Sequence, residues 1–400
     1  FCSNVLQNCS DCNSSSLCKK ESYCFDGTSI KYIGNDDGLP GAIKFGKSGS
    51  PAGNIFFDSN HKLITSTGTI ESIYICDSSG CNASTTFASS DDTYFNLKAS
   101  DMNCIFNVKT ACTKGDANKS YYDVGSKKVI NCTSNKCTLS STTGYYIDSG
   151  TDTHLITCNN GSCTTEDHSS NGPEFFINAG LEKATKPIIY FDGTTLKTIS
   201  GDTTGVYFDS ATVSTSGDSY SNVILCQNSS KCTSTTFDSG IFLSSAHITD
   251  STNNEASLIE CSSSGCKELE FTADISGDND NIYFIDGITS KLIQCTLDSG
   301  SGGSGGGGRK RSLTFIKNKH SRATTISAEC SIYDKESSGK YYLDYASAHT
   351  STSCDTDSLF ENSENEKSFC SNKVISCNSN SKCTSILISS DSQFIDGDSS

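Results

Sequence analysis

Short apolar runs separated by longer polar stretches recur along the whole chain. The run Tyr145-Tyr146-Ile147 ends at Asp148, and Leu155-Ile156 follows after a polar turn. Aromatic and β-branched runs of this length, bounded by Gly, Asn, Asp and Ser, are typical of β-strands. Apolar positions spaced at i, i+3, i+4 and i+7 do not persist over several turns anywhere, so the pattern predicts no helix beyond short turns.

The runs belong to a recurring unit. In its clearest copy, residues 144–148 lead into residues 155–158 and then to Cys163. Further copies lie at 121–137, 206–232, 241–266 and 341–383. Internal similarity of this kind indicates stacked units that share a continuous core. We therefore predict an all-β fold: an elongated, solenoid-like stack of short β-meander or hairpin repeats stapled by disulfides.

The cysteines support this unit. The chain has 23 Cys among 400 residues. In most copies two cysteines flank a short polar turn, which would bring them into a cross-strand pair that a disulfide can bridge. The predicted local disulfides are Cys76–Cys81, Cys132–Cys137, Cys158–Cys163, Cys226–Cys232, Cys261–Cys266 and Cys377–Cys383. Wider spacings suggest Cys104–Cys112, Cys295–Cys330 and Cys354–Cys370. The pairing of Cys2, Cys9, Cys12, Cys18 and Cys24 stays open, and the odd total leaves one thiol without a partner in this chain.

Composition divides the chain into four segments. Residues 1–54 form a Cys-rich N-terminal segment or cap, 55–299 a β-repeat array, 300–329 a Gly-rich basic insertion loop, and 330–400 the continuation of the array. The Gly-rich run matches phosphate-binding patterns only because of its composition, and no helix is predicted after it. Arg309-Lys310-Arg311 in the insertion fits either a contact or processing loop or a simple solvated insertion. Residues 394–397 begin another copy of the unit, so we expect a fragment of a longer chain.

Charge and modification signals restrict the partners. The formal net charge is −16, which repels nucleic-acid phosphates and anionic lipid heads. No apolar stretch is long enough to span a bilayer. We therefore expect no nucleic acid as a partner and no membrane insertion within this segment. N-x-S/T sequons and abundant cysteines predict a secreted, extracellular protein, with or without cell-wall association. The sequons are at Asn8, Asn13, Asn82, Asn118, Asn131, Asn160 and Asn228.

The sequence contains only weak signals for catalytic or metal-binding sites. Asp residues recur at one position of the unit, where Asp commonly opens a turn. They are Asp123, Asp148, Asp209, Asp286 and Asp344. The acidic cluster at 278–280 lacks the spaced ligands of a calcium loop. We predict no enzyme activity, no catalytic residues, no metal and no cofactor.

Aromatic doublets begin most units. Adjacent strand residues face opposite sides, so one ring of each doublet should fill the core. The other ring either packs between layers or belongs to an exposed row that contacts a partner. The candidate partner-binding rings are Tyr121, Tyr145, Tyr207, Tyr283 and Tyr341.

The unit at 144–164 resembles the Cys-containing repeats of scaffoldins from the cellulosomes of anaerobic gut fungi, and the resemblance covers most of residues 55–397. It implies a secreted, non-catalytic structural scaffold whose repeats act as cohesins. Their partners would be the dockerin domains of plant-cell-wall-degrading glycoside hydrolases. The Cys-free unit near 175–199, the gap between Cys295 and Cys330, and the N-terminal segment depart from the pattern. The alternative is a cell-surface or wall adhesin that binds plant polysaccharide directly through aromatic rows. A carbohydrate-active enzyme ranks last.

Overall fold

The structure is a computed structural model of the chain. It describes residues 7–8, 22–25, 30–33, 53–57, 64, 70–77, 80–84, 92–96, 104–107, 113–170, 172–217, 219–246, 257–269, 281–297, 328–333, 340–347, 349–351, 359–362 and 368–388. For 7–8, 22–25, 30–33, 57, 72, 76–77, 80–84, 104, 106–107, 113–114, 297, 328–329, 347, 349–351, 359–362 and 368–371, the description covers the backbone alone.

The chain divides into two compact units, Phe1–Ser200 and Gly201–Ser400. The strands of the first unit are β1 (Gln7–Asn8), β2 (Ser22–Phe25), β3 (Ile30–Ile33), β4 (Gly53–Phe57), β5 (Ser72–Asp77), β6 (Gly80–Ser84), β7 (Thr93–Phe95), β8 (Cys104–Asn107), β9 (Thr113–Lys114), β10 (Lys119–Asp123), β11 (Lys128–Cys132), β12 (Cys137–Ser140), β13 (Gly144–Ile147), β14 (His154–Asn159), β15 (Ser162–Asp167), β16 (Glu174–Ile177), β17 (Ile188–Phe191) and β18 (Leu196–Ile199).

The strands of the second unit are β19 (Val206–Phe208), β20 (Val223–Asn228), β21 (Lys231–Thr235), β22 (Gly240–Leu243), β23 (Leu258–Ser262), β24 (Gly265–Glu268), β25 (Asn281–Ile285), β26 (Leu292–Leu297), β27 (Ala328–Ile332), β28 (Tyr341–Leu343), β29 (His349–Ser351), β30 (Leu359–Asn362), β31 (Ser368–Ser371), β32 (Lys373–Cys377) and β33 (Cys383–Leu387). Short 3-10 turns occur at Ser210–Thr212 and Tyr345–Ser347. Apart from the single helical residue Ala246, every other element assigned in the described residues is a strand, so the all-β prediction is confirmed. The solenoid-like stacking stays a prediction.

The building block is a three-stranded antiparallel meander, called a module here, whose second strand lies in the centre. The modules are 1 (53–84), 2 (93–114), 3 (119–140), 4 (144–167), 5 (174–199), 6 (206–235), 7 (240–268), 8 (281–332) and 9 (341–387). Modules 2 and 3 are joined into one six-stranded sheet through a short parallel contact between Asp123 and Thr93.

The central strand of modules 3 to 9 is buried on both faces. In module 3, Val129 and Ile130 are both 0% exposed although they point to opposite sides of the sheet. In module 4, Leu155 and Ile156 behave in the same way. A strand with apolar side chains on both faces packs against a neighbour on each side, as in buried sheets. The core therefore consists of layers between consecutive modules rather than one central cluster.

Disulfides close the hairpin between the second and third strands. Cys158 and Cys163 are directly opposed across this hairpin, with a Cα–Cα distance of 4.0 Å. The disulfides within the described side chains are Cys132–Cys137, Cys158–Cys163, Cys226–Cys232, Cys261–Cys266, Cys295–Cys330 and Cys377–Cys383. Cys76 and Cys81 are opposed in the backbone register, but their side chains lie outside the description. The predicted pairs Cys104–Cys112 and Cys354–Cys370, and Cys2, Cys9, Cys12, Cys18 and Cys24, also involve residues or side chains outside it.

Module 5 has no cysteine, and an apolar pair takes the place of its disulfide. Phe191 and Leu196 are opposed across the second hairpin, at the same sequence separation as Cys158 and Cys163. Phe191 is 0% exposed and Leu196 is 8% exposed. Burial of this pair therefore holds the hairpin by packing where modules 3, 4 and 6 to 9 use a covalent bond.

Consecutive modules within each compact unit are connected by a recurring backbone hydrogen bond. The residue after the first strand's terminal Asp, Asn or Ser donates its N–H to a carbonyl in the first strand of the preceding module. The donor–acceptor pairs are Val124–Thr93, Ser149–Ser120, Ala179–Tyr145, Ser245–Val206 and Gly287–Ile241, with N···O distances of 2.8–3.2 Å. We call this contact the strand joint.

A second recurring contact involves the disulfide hairpin. The second cysteine donates its N–H to a carbonyl in the first turn of the preceding module, as Cys163 does to Lys127 at 2.9 Å. Cys266 bonds Tyr220 and Cys383 bonds Ser290 in the same way, both at 2.7 Å. In module 5, Leu196 makes the equivalent bond to Asp152 at 2.8 Å. This hairpin joint therefore persists even where the cysteine is replaced.

Two additions depart from the simple module. Strands β1, β2 and β3 extend the sheet of module 1, in the order β1-β2-β3-β6-β5-β4. In module 9, a separate three-stranded sheet of β29, β31 and β30 is inserted between the first and second strands. This insertion accounts for the long spacing between Tyr342 and Val374.

Candidate functional site

The aromatic residues expected to form an exposed row are largely buried. Tyr121, Tyr207 and Tyr283 are 7%, 1% and 4% exposed. These three rings offer little surface to another molecule, and their contact with a partner stays a prediction. Tyr145 and Tyr341 are half-buried, and Tyr145 contacts the ring of Phe176 in the next module at 5.3 Å.

The buried tyrosines have a structural role. The backbone N–H of Asp116 donates to the Tyr121 hydroxyl at 3.1 Å, and Asp202 donates to the Tyr207 hydroxyl at 3.2 Å. Burial raises the pKa of Tyr207 to about 12. Each of these aspartates follows a glycine in the loop before the first strand, so the tyrosine hydroxyl anchors that loop.

The glycine of this loop packs directly on the disulfide. A Cβ on Gly201 would lie 2.5 Å from both sulfur atoms of the Cys226–Cys232 bond. A Cβ on Gly115 would similarly lie 2.4 Å from the Cys132 sulfur. Only glycine allows this approach of backbone to disulfide. The two Gly-Asp loops are thus matched structures in different compact units.

The recurrent aspartates lie in the module core rather than in a cleft. Asp123, Asp148, Asp209, Asp286 and Asp344 are all 8% exposed or less. Each accepts a backbone N–H from the turn that follows it. In four of them a donor lies two residues after the aspartate, and for Asp123 the donor is Ser126, three residues after it. This agrees with their interpretation as turn residues.

Three of these aspartates also contact the preceding module, which the sequence did not reveal. Asp123 accepts the N–H of Phe95 at 3.2 Å, Asp148 that of Tyr122 at 3.4 Å, and Asp286 that of Leu243 at 3.4 Å. The carboxylate thus reinforces the strand joint. Burial raises the pKa of Asp123, Asp148 and Asp209 above the ordinary aspartate value.

A polar groove of about 490 Å³ lies where modules 3, 4 and 5 meet. One wall is the long first turn of module 5, which contains Gly180, Leu181, Glu182 and Lys186. Residues from the turns and strand ends of modules 3 and 4, including Asn118 and Asp152, form the rest. The sequence signal for this groove is the long segment between Asn178 and Ile188, which separates the first two strands of module 5.

The groove carries balanced charge. Three carboxylates, Asp116, Asp152 and Glu182, face three lysines, Lys119, Lys186 and Lys197. The Thr198 hydroxyl donates to Glu182 at 2.7 Å, and this bond, together with Lys186, lowers the pKa of Glu182. The groove therefore offers charged hydrogen-bonding groups without a strong field of either sign.

A histidine–glutamate hydrogen bond connects modules 4 and 5. His168 is 4% exposed, and its Nδ1 lies 2.5 Å from Glu174. Phe176 contacts the imidazole edge-on, with ring centroids 5.5 Å apart. The hydrogen bond to Glu174 raises the pKa of His168. The pair ties the end of module 4 to the first strand of module 5.

In modules 2 to 9 the third strand forms an outer edge of its sheet, whereas the third strand of module 1 is paired with β3. Strand β15 is an edge of its sheet, and only Cys163 in it is buried. In β33 the residues after Cys383 are all exposed, with Leu387 at 66%. Such edges leave backbone groups and outward side chains available to another molecule.

Neither a metal centre in the described residues nor a known relative assigns a function to this chain. Within the described residues, His, Cys, Asp and Glu form no group of three or more that could hold a metal ion. No helix in that part of the chain has the length and apolar character required to cross a bilayer. The acidic cluster at 278–280, the Gly-rich run and Arg309-Lys310-Arg311 lie outside the described residues. The chain matches no family model, no curated protein and no solved structure.

Proposed function

We propose that this chain is a secreted, non-catalytic scaffold of the fungal cellulosome type, whose modules bind the dockerin domains of plant-cell-wall-degrading enzymes. The observation that carries the proposal is the repetition of one module with one set of joints. The strand joint connects modules 2 to 3, 3 to 4 and 4 to 5 in the first compact unit, and 6 to 7 and 7 to 8 in the second. Repetition of this kind supplies several equivalent surfaces on one chain.

Equivalent surfaces suit a scaffold because binding several partners at once raises their local concentration without tight single contacts. The disulfide or the Phe191–Leu196 pair fixes the hairpin that begins the third strand. A docking partner therefore meets a pre-organised strand, and less conformational entropy is lost on binding. Six such disulfides in the described side chains also support an oxidising, extracellular location.

The docking surface is the exposed part of the third strand in those modules where this strand is a sheet edge. In β15 this part includes Thr164 and Glu166, which are both exposed. Because the whole chain has a net charge of −16, the partner surface supplies Lys or Arg. Binding of this type should weaken as salt concentration rises.

The test is a titration of the full chain with purified fungal dockerin domains, followed by calorimetry at low and high salt. We expect saturable binding of more than one dockerin per chain, with affinity falling as salt increases. Glu166→Lys should lower the stoichiometry while leaving the affinity of the remaining modules unchanged. Asp238→Lys makes the same charge change at an exposed position outside a third strand, and it should have no effect.

The same purified chain can distinguish the proposed scaffold from a protein that binds polysaccharide directly. Absence of binding to any dockerin, combined with co-sedimentation of the chain with insoluble cellulose, would replace the scaffold by the adhesin. The burial of Tyr121, Tyr207 and Tyr283 leaves fewer exposed rings for direct binding of polysaccharide, which supports the scaffold over the adhesin.

A further inference from the structure

The described sequons fall into two structural classes. Asn118, Asn160 and Asn228 are exposed, whereas Asn131 is half-buried within a central strand. Asn8, Asn13 and Asn82 lie outside the described side chains. Since an oligosaccharide attached to Asn must extend into solvent, the folded chain can accommodate it in the first class only.

Two of the exposed sequons lie at matching places. Asn160 is in the hairpin closed by Cys158–Cys163, and Asn228 begins the hairpin closed by Cys226–Cys232. Asn160 has a φ of 51°, a left-handed turn conformation that Asn tolerates better than most residues. The disulfide therefore holds the sequon at the tip of a tight turn that projects from the sheet.

The amide nitrogens at these tips are accessible. The Asn228 Oδ1 accepts hydrogen bonds from the backbone N–H and the hydroxyl of Ser230, both at 3.0 Å. Its Nδ2 donates no hydrogen bond to the described residues, and neither does that of Asn160. The nitrogen that a glycan would modify is thus free in both hairpins.

Asn131 has the opposite environment. It lies in the central strand β11, opposite Ser120 on one side and Thr138 on the other. Its Oδ1 accepts the Ser120 hydroxyl at 2.7 Å, and Ser120 is only 7% exposed. A glycan on the Asn131 Nδ2 would have to leave a half-buried side chain that lies between β10 and β12 and is held by this hydrogen bond.

We propose that Asn118, Asn160 and Asn228 carry N-linked glycans and that Asn131 does not. In this reaction a lipid-linked oligosaccharide diphosphate is the donor. The asparagine Nδ2 loses a proton and forms a bond to the anomeric carbon of the first sugar, while the bond from that carbon to the diphosphate breaks. Because transfer acts on the unfolded chain, the folded structure decides which modified chains reach the native state.

The glycans would restrict where other molecules bind. Those on Asn160 and Asn228 cover the disulfide hairpin tips of modules 4 and 6, leaving the rest of each third strand accessible. Asn118 lines the groove between modules 3, 4 and 5, so its glycan stands over that groove. This inference does not depend on whether the partner is a dockerin.

The experiment uses the full chain secreted from a eukaryotic host and purified with its disulfides intact. The glycans are removed enzymatically from the peptides in heavy-oxygen water, and the peptides are then mapped by mass spectrometry. We expect isotope-labelled deamidation at Asn118, Asn160 and Asn228, and unmodified Asn131. Ser162→Ala and Ser230→Ala keep the asparagines but destroy the sequons, so each should remove the mass of one glycan from the intact chain.

Two outcomes would overturn the proposal. One is secreted, disulfide-bonded chain in which Asn160 and Asn228 are unmodified. The other is native chain that carries a glycan at Asn131, because the packing around β11 would then not govern occupancy.

Discussion

Asp123 provides the sharpest test of how the modules are held together. Its side chain is 0% exposed, and it contacts three modules. Oδ1 accepts the Asn54 side-chain amide of module 1 at 2.8 Å and the Phe95 N–H of module 2 at 3.2 Å. Oδ2 accepts the N–H of Ser126 at 3.3 Å and the Ser126 hydroxyl, both in the turn of module 3 itself.

Replacement by alanine should be costly. In Asp123→Ala, the buried donors of Asn54 and Phe95 both lose their acceptor. Each unsatisfied donor costs about 1–3 kcal/mol, so the free energy of unfolding of the first compact unit should fall by about 4 kcal/mol. Asp123→Asn keeps an oxygen toward both donors and loses the contacts with Ser126. Ser126 is only half-buried, so water can accept its freed donors, and the cost should stay within about 1 kcal/mol. The chain itself carries Asn at this place in Asn96 and Asn178.

The pH dependence has a defined sign. Burial raises the pKa of Asp123 in the folded chain above its ordinary value of 3.8. The folded state therefore binds the proton more tightly than the unfolded state, and the stability that this provides is lost as pH rises through the folded pKa. The contribution of Asp123 to the free energy of unfolding should therefore be more favourable at mildly acidic pH than at neutral pH. Asp123→Asn should reduce that difference.

The assay is urea denaturation followed by far-UV circular dichroism, because the chain contains no Trp. Hydrogen exchange of the Phe95 amide provides a local readout and should accelerate in Asp123→Ala but not in Asp123→Asn. Asp167→Ala is the matched control, since Asp167 also accepts the N–H of a turn residue, Ser169, but lies at the surface. Equal stability of Asp123→Ala and the native chain, or a Phe95 amide that is unaffected by it, would refute the role of this carboxylate in the joint.

Two further predictions concern the hairpins. Opening Cys295–Cys330 by double alanine substitution should lower the free energy of unfolding by about 4 kcal/mol, and opening Cys158–Cys163 should lower it by about 2 kcal/mol, because the first disulfide closes a much longer loop. Equal losses of stability in the two variants, measured by denaturation, would contradict this order. Phe191→Ala should cost about 3–5 kcal/mol and speed amide exchange at the hairpin joint of module 5, whereas Phe191→Leu should cost less than half as much. Unchanged exchange in Phe191→Ala would show that the apolar pair does not replace the disulfide.

The local structure of a module follows from sequence because its signals are local. The apolar run 155–158 and the turn before Cys163 together determine two strands, the hairpin between them and the register that opposes Cys158 to Cys163. The same reasoning predicted which cysteines are opposed across the hairpin in five further modules. The wide pair Cys295–Cys330 was also predicted, since Cys330 is the next cysteine along the chain after Cys295. Turn residues such as Asp148 were likewise identified by type and position.

Contacts between modules were decided only by the tertiary structure. Both Phe175 and Phe176 are buried, at 5% and 4% exposure, although neighbouring strand residues point in opposite directions. A strand covered on both faces has lost the alternation by which sequence separates inside from outside. For the same reason the sequence could not show that Tyr121 is buried, that Asp123 bonds Phe95, or that Phe191 replaces a cysteine. These facts depend on how one module packs on the next, and that packing is absent from any single repeat.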